Sequence, residues 1–369
     1  MSKSKVCFDT SSKRNNILIC QLNNLRGESQ YGMNLFTSLR FRYSVLNSYI
    51  KRPTVFHEQI ISSFYNLPHI LSDLSSIFFI HGRANLISLL ISKLLGVKVT
   101  VVVHDYMRFG FRCIPLKDRI KSIYHAITHS ISVVLSDSLI FNSSYTQELC
   151  LKRYGSLAAK KRNVVIHPLP SFTINTVHET IYGESHRNKH IEMLIITGNS
   201  PWKNLEGYKQ FFSDVNTMNF KTNLPIIINL VGPSNLNLSL EKTINNNNFT
   251  FRYHHDLSSQ QLLLLYLKSS WYLSLSIEEG FGIPFLDAML LGLNILAHPL
   301  NSYLEILGQY PKYNEQLICL NSTEELAELF CLNSSKRGIK SEAACSHYLT
   351  QYSSIKNNLD KRLDSLLLP

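Results

Sequence analysis

A chain of 369 residues, 44% hydrophobic and 17% charged, is too long for one ordinary hydrophobic core and too apolar to stay disordered, so two globular domains are expected. Seven cysteines stand singly at 7, 20, 113, 150, 319, 331 and 345, with no C-x-x-C pair, which argues for reduced thiols in the cytosol and against a disulfide frame or zinc site. The formal charge of +11 is uneven: residues 1–175 hold 22 Lys and Arg against 8 Asp and Glu, whereas residues 176–369 hold 15 against 18.

A basic half suits nucleic acid, an anionic membrane surface or a phosphorylated acceptor, or is merely solvated. Its candidate patches are Lys117, Arg119 and Lys121, then Lys152, Arg153, Lys160, Lys161 and Arg162. No zinc-finger spacing, RNP-like aromatic run or heptad repeat accompanies them, so nucleic acid is not expected as a partner.

Along the chain, residues 1–16 are polar and basic without an apolar core segment, so neither a signal peptide nor an anchor is expected there. Strand candidates follow at 17–22, 76–81, 97–103, 138–142 and 163–167, with helical patterns between them. Lys93 and Lys98 interrupt the greasiest region, residues 86–103, and no transmembrane helix is expected. A second series of strand candidates lies at 191–197, 225–231, 249–253, 271–275 and 294–297. The alternation predicts an α/β protein with parallel sheets, built as two doubly wound units in tandem. The first domain is placed at 1–170, a polar interdomain linker at 171–189, the second domain at 190–340 and a helical tail at 341–369.

The most informative run is Ser276-Ile277-Glu278-Glu279-Gly280-Phe281-Gly282-Ile283-Pro284-Phe285-Leu286-Asp287-Ala288-Met289. It reads as the end of a strand, a glycine turn and a helix N-terminus, with Pro284 placed where a helix can begin. Such a junction exposes free backbone N–H groups at the positive end of a helix dipole and favours anions, phosphates in particular. Glu279 and Asp287, eight positions apart across the turn, can grip sugar or ribose hydroxyls from two directions.

This run resembles the carboxylate motif of the retaining glycosyltransferases of family 4, which have the GT-B fold: α/β, two doubly wound Rossmann-like domains facing a central cleft. Asp287 stands where the family usually has a second Glu. The resemblance covers most of residues 190–310 and is looser over 17–165.

Further residues follow from it. His104 ends the strand Val101-Val102-Val103 and matches a family histidine close to the donor sugar; Asp105 beside it is an orienter or a helix cap. Gly198-Asn199-Ser200-Pro201-Trp202-Lys203-Asn204-Leu205 resembles the family's diphosphate segment. Lys203 is kept there, and Asn199 replaces an Arg, which removes a bidentate contact. Gly27 is what remains of the family's Gly-Gly loop. Val231-Gly232-Pro233 ends a strand as the family's aliphatic-Gly segment does. His255 stands where the family has Gly, so nucleobase preference does not carry over. Residues 292–305, including Glu305, read as scaffold. In GT-B proteins the last helix often crosses back to the first domain, which the resemblance implies for the tail.

The resemblance therefore implies a cytosolic enzyme, peripheral at the inner face of the membrane, that moves a sugar from a nucleotide diphosphate sugar to a glycan or lipid-linked acceptor. Anomeric configuration is retained, and the setting is bacterial lipopolysaccharide, O-antigen or another surface polysaccharide. His104 and Glu279 are the expected catalytic residues. Gly27, Asn199, Lys203, Gly232, Gly280, Phe281, Gly282, Ile283 and Asp287 are expected to bind the donor. No cofactor is expected and, as no Asp-x-Asp motif occurs, no metal. A catalytically silent GT-B subunit is the alternative, motivated by Asn199, Asp287 and the broken Gly-Gly loop; a sugar-nucleotide epimerase is the weaker third reading.

Overall fold

The computed structural model describes residues 16–22, 34–35, 37–39, 44–50, 66–68, 70, 74–80, 86–104, 116–172, 190–218, 224–234, 249–310, 317–334 and 342–367. The chain divides into two compact units. One comprises Met1–Asn142, Thr146–Ile166 and Leu359–Pro369; the other comprises Ser143–Tyr145 and His167–Asn358.

In the first unit the strands are β1 (Asn16–Leu22), β2 (Ser44–Ile50), β3 (Leu74–Phe79), β4 (Lys98–Val103), β5 (Ser138–Phe141) and β6 (Arg162–Val165). They pair in parallel in the order β2-β1-β3-β4-β5-β6. Helix α1 (Leu86–Leu94) joins β3 to β4, α2 (Leu116–Leu135) joins β4 to β5, and α3 (Ser144–Tyr154) with the short α4 (Ser156–Ala159) leads into β6. Ile77, Phe79, Val99, Val101, Val103, Leu139 and Phe141 fill a core with Leu89 and Val133 of the helices. Alternate strand residues share one face of a sheet, which is why they recur at every second position.

The second unit runs β7 (Ile191–Ile196), α5 (Leu205–Thr217), β8 (Ile226–Val231), β9 (Phe249–His254), α6 (Ser259–Lys268), β10 (Trp271–Ser274), α7 (Ile283–Leu290), β11 (Asn294–Ala297), α8 (Asn301–Gln309), β12 (Leu317–Cys319), α9 (Thr323–Asn333) and the part of α10 (Glu342–Leu367) up to Asn358, the rest of that helix belonging to the first unit. Its strands are also parallel, in the order β12-β11-β10-β7-β8-β9. Read from β9, that is the doubly wound order 3-2-1-4-5-6, whose direction reverses between β7 and β10. The two units are thus not copies of one topology, since the first reverses between β1 and β3.

Both faces of the second sheet are covered. Ile191, Met193, Ile195, Trp271 and Leu273 pack with Phe211, Phe212, Leu326 and Phe330 of α5 and α9. On the other face, Leu194, Tyr272 and Ile295 pack with Phe285, Met289, Tyr303 and Ile306 of α7 and α8. Burial on both sides explains why these strands read as near-continuous apolar runs. One polar chain crosses that sheet: buried Glu192 accepts from Asn229 Nδ2 at 2.9 Å and pairs with His190 Nε2 at 2.6 Å, and Asn229 Oδ1 meets His254 Nε2 at 3.0 Å. Each member finds a partner, which is the condition for burying such groups.

The strand expectations fall within a few residues of the observed strands, and two strands escaped them. β2 contains Ser44, Asn47 and Ser48, and β12 is three residues long. Both are edge strands of their sheets, paired on one side only, so less apolar content is needed to hold them. Among the described residues no helix is long and apolar enough to cross a membrane.

Candidate functional site

The carboxyl ends of β7 and β10 lie side by side where the second sheet reverses its order, the position at which doubly wound sheets hold ligands. After β7 the chain forms the turn Thr197 to Ser200 and a single 3-10 turn, Pro201–Lys203. It then starts α5 through Asn204, which adopts φ 53°. Asn is one of the few non-glycine residues that tolerate this left-handed conformation. Its side chain repays the strain twice, accepting the Gly207 N–H at 3.1 Å as a helix cap and donating to Leu275 O at 3.0 Å.

After β10, the segment Leu275 to Gly282 lies against that turn. Ile277 N–H donates to Trp202 O at 2.8 Å, and Leu275 N–H donates to the buried Tyr208 hydroxyl at 3.2 Å. These contacts fix the two loops to each other through backbone groups, so the side chains they present have a defined spacing. Lys203 Nζ donates to Glu279 Oε1, and the buried Ser276 hydroxyl donates to the same oxygen at 2.8 Å. The Lys203 and Glu279 side chains are 24% and 17% exposed, accessible enough to meet a ligand yet screened enough for their charges to be felt.

Helix α7 begins at Gly282, which has φ 95°. A Cβ there would also stand 2.4 Å from the Tyr303 ring, so both the backbone angle and the space demand glycine. Tyr303 is locked in turn by stacking on Phe285 at 4.2 Å and by a 2.8 Å hydrogen bond between its hydroxyl and Ser274. Gly280 O accepts from the Ser143 hydroxyl at 2.6 Å, Phe281 is buried and stacks on His167 at 5.5 Å, and Ile283 opens the helix with Pro284 next.

Asp287 is placed differently. It is 1% exposed, and its Oδ1 accepts the Ser171 N–H at 2.9 Å. Burial pushes its carboxyl up to about 7 against the lowering effect of the Ser171 hydrogen bonds. Next to it, Tyr348 of α10 donates to Phe172 O at 3.0 Å and accepts from Phe172 N–H at 3.2 Å. Asp287 therefore ties Ser171 to α7, and Tyr348 ties Phe172 to α10.

A second carboxylate node was read from sequence only as scaffold. Glu305 of α8 meets His167 Nε2 at 2.8 Å and accepts the backbone N–H groups of Ser144 at 2.8 Å and Tyr145 at 3.2 Å. Burial alone would raise its carboxyl, but hydrogen bonds from His167 and the two amides outweigh that and hold it down at about 2. His167 and Ser143 carried no motif, and only the fold brings them to Phe281 and Gly280.

Of the remaining expected site residues, Asn199 is exposed on the turn after β7. Gly232 follows β8, its N–H donating to His254 O at 3.1 Å. His104 belongs to the first unit, at the end of β4, half-buried, with its carbonyl accepting Asn142 Nδ2 at 2.7 Å. Gly27 and Asp105 lie outside the described residues. The structure thus brings together Lys203, Ser276 and Glu279 at the head of the Gly280–Ile283 turn, and sets Asp287 beneath them in the core.

Residues 181–337 match the family described as "Glycosyl transferases group 1". Over these residues, which fall in the second unit, the chain is similar to a glycosyltransferase group 1 domain. No curated protein sequence matches the chain significantly. Among solved structures, that of Anabaena Alr3699/HepE in complex with UDP and glucose is 14% identical, with a TM-score of 0.65 over 96% of this chain and 99% of its own. An α,α-trehalose-phosphate synthase (UDP-forming) from Burkholderia vietnamiensis is 9% identical, with a TM-score of 0.64 over 94% and 95%. An E. coli trehalose-6-phosphate structure bound with UDP-2-fluoro glucose is 8% identical, with a TM-score of 0.68 over 95% and 98%. At these identities the likeness gives the fold, which is GT-B, as the sequence led us to expect. The family match does not favour the catalytically silent alternative.

Proposed function

We propose that the chain is a retaining, metal-independent glycosyltransferase that takes a sugar from a nucleotide diphosphate sugar, UDP-linked in the first instance, and passes it to a glycan or lipid-linked acceptor of bacterial surface polysaccharide synthesis. The observation that carries this reading is the convergence of Lys203, Ser276 and Glu279 at the switch point of the second sheet, at the start of α7.

The chemistry follows from charge. When the bond from the anomeric carbon to the donor phosphate breaks, negative charge grows on the leaving diphosphate and positive charge on the sugar ring. Lys203 and the positive end of the α7 dipole answer the first, and being preorganised they need no reorganisation as the bond breaks. Glu279 answers the second and accepts from sugar hydroxyls. In the absence of donor its charge is balanced by Lys203, so a diphosphate entering the site competes for that lysine. On the retaining route a donor phosphate oxygen takes the acceptor proton, and no enzymic base is required. The ribose role of Asp287 and the sugar contact of His104 rest on the family resemblance. Asp287 would have to share its carboxyl with Ser171.

A thermal-shift series with UDP, GDP, dTDP and ADP tests the donor site, because a ligand that binds only the folded state raises the melting point. UDP is expected to give the largest rise. Turnover of the matching sugar nucleotide with and without acceptor follows. Failure of all four nucleotides to bind would end the proposal, and epimerised donor in place of transfer would replace it.

A further inference from the structure

Two phenol hydroxyls lie inside apolar packing beneath the candidate site, and the transfer chemistry gives them no part. Tyr208 of α5 belongs to the core on one face of the second sheet, and Tyr303 of α8 to the core on the other. They are 0% and 1% exposed. Burying an O–H is costly unless it finds a hydrogen bond, and a phenylalanine ring would fill the same space without that cost. Both hydroxyls find their partners at the carboxyl end of β10, on consecutive residues. Tyr303 shares a 2.8 Å hydrogen bond with the Ser274 side chain, and Tyr208 accepts the Leu275 N–H at 3.2 Å. Burial raises both phenols well above their ordinary value, so they stay neutral.

The backbone explains why donors and acceptors are needed at that point. Strand β10 pairs with β7 only through Trp271 and Tyr272, while on its other side it stays with β11 as far as Ser274. Beyond Tyr272 it has parted from β7, and buried backbone groups that leave a ladder need other partners. Leu275 takes both of its partners from the start of α5: its N–H donates to Tyr208, and its C=O accepts Asn204 Nδ2 at 3.0 Å. This parting is the switch point of the sheet. The next residue, Ser276, donates to Glu279 at 2.8 Å. At the far end of the same loop a Cβ on Gly282 would stand 2.4 Å from the Tyr303 ring, so Tyr303 packs against the start of α7. Tyr208 therefore grips the root of the Glu279 loop, and Tyr303 touches both of its ends.

We propose that Tyr208 and Tyr303 are positioning residues of the transfer site, which hold the loop Leu275–Gly282 away from β7 so that Glu279 stands where the donor sugar reacts. The kinetic consequence rests on the transfer reading, whereas the grip on the loop is readable without turnover. Lys203 sits on the turn after β7, and Asn204 next to it is the residue that anchors that turn to Leu275. Loss of the Tyr208 hydroxyl should therefore displace Glu279 more than Lys203, and slow the chemical step more than it weakens diphosphate binding. A misplacement of about 1 Å at a reacting group can cost on the order of 100-fold in rate.

The test is Tyr208→Phe in the full chain, read by steady-state kinetics, by calorimetry with UDP and by amide hydrogen exchange over residues 271–282. We expect kcat to fall roughly 10–100-fold while UDP affinity stays within about threefold of wild type. Exchange at Leu275 should quicken by roughly three- to tenfold, because its N–H loses its acceptor. Tyr303→Phe keeps the ring against Gly282 and loses only the bond to Ser274, so it should show the same split at a smaller kcat loss, roughly 3–10-fold. Tyr154→Phe, which removes a hydroxyl paired with His129 at 2.9 Å in the first unit, should match wild type throughout. Wild-type kcat in Tyr208→Phe, or a loss of UDP affinity as large as the loss of kcat, overturns the proposal. So does unchanged exchange at Leu275. If Tyr208→Phe does not fold, Tyr303→Phe decides by the same criteria. A wild type that neither binds UDP nor transfers sugar ends the transfer reading instead, and exchange at Leu275 then decides the grip alone.

Discussion

Glu279 and Asp287 come from one motif, eight residues apart, and meet opposite fates. Glu279 keeps 17% of its side chain exposed and takes Lys203 and Ser276 as partners. Asp287 is 1% exposed, has no cationic partner among the described residues, and is pushed up to about 7 by burial. The difference teaches that the surroundings of a carboxylate are set by the fold rather than by motif membership. Glu305 makes the same point from a third position. It is slightly more enclosed than Glu279, yet three donors hold it at about 2.

Removing the Glu279 carboxylate should have the largest effect. Glu279→Ala and Glu279→Gln are expected to lower turnover by roughly 10²–10³ while circular dichroism and the melting point stay near wild type. Wild-type rates in either variant would refute its role. Lys203→Met comes next, with kcat/KM down by roughly 10–100-fold, mostly through weaker diphosphate binding. Calorimetry with UDP should show the same loss, and equal UDP affinity would detach Lys203 from the phosphates.

Asp287→Asn sharpens the contrast through stability. The folded carboxyl sits at about 7 against an ordinary 3.8, so between those values the unfolded chain is ionised while the folded one holds its proton. Wild-type stability should therefore fall as pH rises through that window. The Asn variant, which can still accept from Ser171, should be the more stable protein at pH 8 by about 1–3 kcal/mol and close to wild type near pH 4. Denaturant melts at the two pH values check this, and a gain that does not depend on pH would contradict the assigned burial penalty.

The smallest expected effect has the opposite sign. Glu305 is held below its ordinary value of 4.5, at about 2, so its contribution is complete above pH 4.5 and drains away as the pH falls towards 2. Glu305→Gln should cost a few degrees of melting temperature at pH 7 and show a flatter acid limb than wild type. Equal acid limbs would mean that His167 and the amides of Ser144 and Tyr145 do not hold the carboxylate in solution.

Much of the second unit was legible in the sequence because its strands are buried on both faces and separated by helical patterns. The run 271–275, for example, needs no tertiary information to read as a strand. The edge strands β2 and β12 were not legible, because partial burial leaves a weak apolar signal. Lys203, Asn204 and Glu279 were visible as a strand-end turn and a glycine-turn motif, though nothing local says that the two loops are tied through Ile277 and Trp202. His167 and Ser143 were invisible, as single polar residues whose partners are 138 and 137 positions away.

By itself the sequence settled the alternation of strands and helices, the glycine turn at 280–282 and the presence of carboxylates around it, since these rest on local backbone preference and apolar period. Tertiary structure alone decided that burial pushes the Asp287 carboxyl up while donors hold Glu305 down. That depends on how many donors and how much water surround each oxygen, and chain neighbours do not set those numbers.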